Sequence, residues 1–105
     1  MDNEVNYVVE RTLTGIKPDG ESITICAGVG VPYQSEKHDS WACPLKLDGI
    51  HNNVCDLHGT DSWQAFTLAQ KFIIGQLKYF MEDGGALLLF PGEPPLTLDE
   101  LHEFF

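Results

Sequence analysis

The chain has 105 residues, sixteen of them acidic and six basic, for a formal net charge of −10. That length fits one domain, 1–105, and 43% apolar residues suffice for one packed core. So acidic a surface repels nucleic acid and anionic membrane, and no apolar run reaches the roughly 18 residues that a helical bilayer span needs.

The N-terminus, MDNEVNYVVE, lacks the basic segment and long apolar stretch of a secretory signal. Cys26, Cys43 and Cys55 are odd in number and far apart, which argues against a disulfide framework. Reduced thiols and a cytoplasmic location are the expectation.

Residues 5–15 read as a strand of β-branched and aromatic residues, with Tyr7, Val9 and Arg11 on one face and Val8, Glu10 and Thr12 on the other. Lys17-Pro18-Asp19-Gly20 is turn chemistry. Residues 22–33 read as a second strand, in which Gly28 and Gly30 share a face and predict a bulge or a close approach to the backbone. After a polar loop, 41–47 reads as a third strand. Pro44 cannot donate to a ladder, so that strand lies at an edge or is interrupted there. A short fourth strand ends at Gly59.

From Ser62 to Asp83 there is no proline and a single glycine. Ala65, Leu68, Ala69, Phe72, Ile73, Leu77, Phe80 and Met81 recur three or four apart, as one broad helical stripe. Gly84 is a natural left-handed stop. Residues 86–90 form a short apolar run suited to a buried strand. Thr97 and Glu100 stand at capping-box spacing before a short C-terminal helix. The whole reads as α+β: an antiparallel sheet of four to five strands, one long helix packed across one face, and a short C-terminal helix.

His58, Asp61 and Ser62 are the residue types of a hydrolase triad. Triad members usually come from separate loops, and Ser62 has no nucleophile elbow. Asp61 with Gln64 three residues on is instead a helix N-cap, whose amide partners and favourable dipole explain the acid. His38, Cys43, His51, Cys55 and His58 supply zinc-type donors, but no Cys-x-x-Cys pair is present. In an extended segment, His51 and Cys55 would lie about 13 Å apart. Trp41 and Trp63 are read as core residues. No residue is assigned a catalytic role, and no metal or cofactor is expected.

Glu10-Arg11 in the first strand, then Gly59 to Ser62 leading into a long helix with a Gln64-Ala65 step, resemble a group of small bacterial proteins without an assigned activity. In size and acidity the chain is also similar to immunity proteins of contact-dependent toxin systems. The second resemblance implies a stoichiometric inhibitor of a basic toxin domain. The expected docking face comprises Glu82, Asp83, Glu93, Asp99, Glu100 and Glu103. The alternative is a small metal-dependent or small-molecule enzyme that uses the His/Cys segment 38–58.

Overall fold

The computed structural model describes residues 5–36, 40–52 and 54–105. Its strands are β1 (Tyr7–Ile16), β2 (Ser22–Gly30), β3 (Tyr33–Ser35), β4 (Ser40–Cys43), β5 (Leu45–Asp48), β6 (Leu57–Gly59) and β7 (Ala86–Leu88). The helices are α1 (Ser62–Glu82) and α2 (Leu98–Phe104). The fold is α+β, as the pattern predicts. It holds two antiparallel sheets, ordered β5-β2-β1-β7 and β3-β4-β6.

The second sheet comes from a bend. Val29 pairs with Leu45, the Gly30 amide donates to the Pro44 carbonyl at 2.8 Å, and Tyr33 pairs with Ala42. Residues 26–35 and 40–48 are therefore the two arms of one ribbon that leaves the larger sheet at its corner and enters the smaller one. Both corner crossings carry a proline, Pro32 and Pro44, where a missing amide donor costs least. The interruption predicted at Pro44 is present, and the strand read as 22–33 breaks at the same corner.

In the larger sheet, the rows Leu13–Ile25, Arg11–Ala27–Leu47 and Val9–Val29–Leu45 share one face. Six of these residues, Leu13, Ile25, Ala27, Val29, Leu45 and Leu47, are buried in the main core. The opposite face carries Thr12, Cys26, Asp48, Glu10, Gly28 and Lys46. A register shift between Tyr7 and Val9 moves Tyr7 onto this second face, away from the Val9 and Arg11 with which simple alternation groups it. Tyr7, Lys46 and Pro44 occupy the space that side chains on Gly28 and Gly30 would need. That is the close approach their spacing predicts.

α1 starts at Asp61, whose carboxylate accepts the Gln64 amide at 2.8 Å. The Gln64 side chain turns back one residue further than a capping box requires and accepts from the Thr60 amide at 2.7 Å. Ala65, Ala69, Ile73 and Leu77 form the buried line along the helix. Each large apolar side chain in such a line contributes about 1.5–3 kcal/mol by leaving water. Phe72, Phe80 and Met81 flank it half-buried, packed against the core. Trp63 departs from expectation: it is 82% exposed. It stands two residues before Ala65, about 200° around the helix from the buried line. Trp41 is half-buried against the core.

Gly84, at φ 99°, ends α1, with its amide donating to Met81. β7 then pairs with Thr14, Gly15 and Ile16 of β1. α2 begins in a complete capping box: Thr97 Oγ1 accepts the Glu100 amide at 3.1 Å and Glu100 accepts the Thr97 amide at 2.9 Å. Leu96 and Leu101 bury this last element, and Leu98 is 40% exposed.

Candidate interaction surface

The six predicted docking acids fall on three elements. Glu82 and Asp83 close α1 and line a shallow depression with Ile50, Gln76, Tyr79 and Phe80. Glu93 lies in the turn between β7 and α2, its amide bonded to Phe90. Asp99 and Glu103 are four residues apart and share one face of α2. Glu100 uses a carboxylate oxygen on its own helix cap. The other five are exposed. Among the described residues, none of these five is in a salt bridge.

The cations are differently placed. Lys17 pairs with Glu21 at 3.0 Å. Lys46 pairs with Glu10 at 2.8 Å and lies 4.6 Å from the Tyr7 ring centroid. The Glu10 hydrogen bond holds the Lys46 ammonium above its ordinary range. Burial raises the Tyr7 phenol, with Lys46 opposing. Arg11 donates to the Phe104 carbonyl at 2.8 Å and stacks on the Phe105 ring at 4.9 Å. Three of the five described cations are thus engaged within the chain, while the acids above face solvent.

Arg11, Val9, Phe104, Phe105 and Ile74 border a groove of about 240 Å³ between β1, α1 and the end of α2. Its sheet-side floor is Ala27 and Val29.

The His/Cys segment does not converge. Cys43 is buried and donates to the Gly30 carbonyl, and burial pushes its thiol up. Cys55 is exposed and free. His51 sits edge-on to Phe72, its centroid 5.7 Å away, with a buried Nδ1 that lacks a hydrogen-bond partner among the described residues. His58 Nδ1 lies 3.2 Å from Ser40 Oγ. His38 lies outside the described residues. No group of three or more His, Cys, Asp or Glu among the described residues could hold a metal. Among the described residues, no helix is long and apolar enough to cross a membrane.

A family profile described as a domain of unknown function, DUF6968, matches residues 9–96. The chain belongs to this family. The matched stretch of the DUF6968 domain takes in β2 to β7 and α1 whole and stops before α2. No curated protein and no solved structure matches the chain.

Two contacts of this DUF6968 domain escape sequence reading because they span long separations. Tyr33 donates to Asp56 across 23 residues, which raises the tyrosine above its ordinary range. Arg11 reaches Phe104 across 93 residues. Glu10 and Arg11 were legible as a charged pair in the first strand, but nothing local says that each is engaged elsewhere.

Proposed function

We propose that this chain is a non-enzymatic acidic binding module for a basic protein, in the specific form of an immunity protein that covers the cationic nucleic-acid site of a nuclease-type toxin. One observation carries the reading: the net charge is −10, and Glu82, Asp83, Glu93, Asp99 and Glu103 are exposed and unpaired among the described residues. Such a field acts first on encounter, steering a cationic partner before close contacts form.

The test is the protein that co-purifies with the chain at low salt. A basic partner is expected, with nuclease activity that one equivalent of the chain abolishes. Association should slow steeply between about 0.1 and 1 M salt, as the screening length falls from about 10 to 3 Å. Neutralising Asp99 and Glu103 together should slow it more than neutralising Asp19. An acidic partner, or an association rate indifferent to salt, overturns the reading.

A further inference from the structure

The strand β1 is paired along one edge only over most of its length. β2 follows it from Tyr7 to Ile16, but β7 reaches just Thr14, Gly15 and Ile16. From Tyr7 to Leu13 the outer edge carries no strand among the described residues. Alternate residues there turn amide and carbonyl groups outward, the template on which another strand can pair. Val8 and Val9 are each 53% exposed on this stretch.

Natural sheets guard such edges with free charges, proline or bulges. Here a register shift lies only at the strand's start, between Tyr7 and Val9. β1 contains no proline or lysine. Its two charges are drawn off the edge, Glu10 onto Lys46 and Arg11 onto Phe104 and Phe105. The groove beside Val9 is bordered by Gln70, Ile73 and Ile74 of α1 and by Phe104 and Phe105.

We propose that the β1 edge receives an extended basic segment of the partner by strand addition, which rests on the basic-partner reading above. The faces of β1 set the guest's pattern. Beside Val9, on the groove side, apolar side chains extend the surface of Val9 and Phe104. Beside Glu10 and Thr12, on the other face, lysine or arginine lies cross-strand to the half-exposed Glu10 carboxylate, which it shares with Lys46, in the field of a body of net charge −10. The guest therefore alternates basic and apolar residues. A second copy of the chain fits less well. In a two-fold antiparallel pairing each residue meets one of the same parity, so pairings centred on Glu10 or Arg11 oppose like charges. Two copies also bring together bodies of −10 each.

The probe is a capped octapeptide of alternating lysine and valine, with a glutamate-valine octapeptide and an N-methylated lysine-valine octapeptide as controls. Binding is read by fluorescence anisotropy and by amide shifts and slowed hydrogen exchange. The lysine-valine peptide should bind and protect amides within residues 7–13. N-methylation should weaken it at least about tenfold, because it removes the ladder donors. Val9→Lys, a change at an exposed position that restores a guard charge, should weaken it similarly in a protein that melts normally. Equal binding by the N-methylated peptide overturns strand addition and leaves the basic-partner reading intact. Equal binding by the glutamate-valine peptide overturns the charge rule. Self-association that Val9→Lys abolishes overturns the choice of guest. If the lysine-valine peptide fails to bind where a salt-sensitive basic partner does bind, the edge proposal alone falls.

Discussion

Gly59 and Gly75 give the same substitution opposite signs. A Cβ added at Gly59 would lie 2.6 Å from the backbone nitrogen of Ala65 and 3.0 Å from the carbonyl carbon and Cβ of Gln64. The two closest of these are backbone atoms of the first turns of α1. That turn is fixed by the Asp61 cap, and Ala65 is fully buried. Neither side can yield alone, so the end of β6 and the start of α1 must part. Overpacking of this kind costs about 1–3 kcal/mol, offset by about 0.4–1 kcal/mol from a stiffer unfolded chain. Gly75 lies inside α1, where a Cβ meets nothing within 4 Å. There Gly75→Ala should stabilise by about 0.8–1 kcal/mol, the ordinary helix preference. In a domain of this size 1 kcal/mol corresponds to about 4–8 °C in Tm. Urea titrations should show the midpoint falling for Gly59→Ala and rising for Gly75→Ala, with unchanged slope. If both midpoints move the same way, or Gly59→Ala is as stable as the parent, the tight strand–helix junction is wrong.

Asp61→Ala should cost about 1 kcal/mol through the lost N-cap, and partner binding measured below the melting transition should survive; a stable variant that no longer binds would reopen the chemistry of that stretch. Leu77→Ala removes a fully buried side chain and should cost about 2–5 kcal/mol, whereas Trp63→Ala should change stability by less than about 0.5 kcal/mol; comparable losses in thermal melts would refute the orientation of α1. The raised Cys43, Tyr7, Tyr33 and Lys46 groups hold protons more tightly in the folded chain than in the unfolded one. Their stabilisation is complete below the unfolded values and is lost as pH rises through the folded ones, so the urea midpoint should decline from about pH 9 upward; a midpoint that is flat or rising over that range would contradict these contacts.

What was legible in the sequence was mostly local. The caps at Asp61 and Thr97 and the stop at Gly84 depend on residues within four positions of one another. So does the long helix, whose period repeats every turn. Trp63 was also within reach: its spacing from Ala65 places it off the stripe, but its size suggested burial. The two prolines that mark the corner were visible, yet which sheet each flank joins depends on pairing between distant segments. The bulge at Tyr7 reverses one side chain without a glycine or proline to announce it. For the interaction surface, the acid excess was plain in the composition. The open edge of β1 was not, because it exists only where β7 stops short, 70 or more residues later in the chain.

The corner between the sheets works as a hinge, and α1 is its strut. One ribbon carries both sheets, so their mutual angle depends on the few residues around Gly30, Pro32 and Pro44 and on whatever braces the two arms. α1 touches β4 and β6 on one arm and β2 and β7 on the other. A helix about 31 Å long thereby sets how far the ribbon is folded. Lengthening or shortening it by one turn would change the angle between the sheets and leave each sheet's own pairing intact. The shape of this domain can thus be tuned from an element that contributes no strand to either sheet.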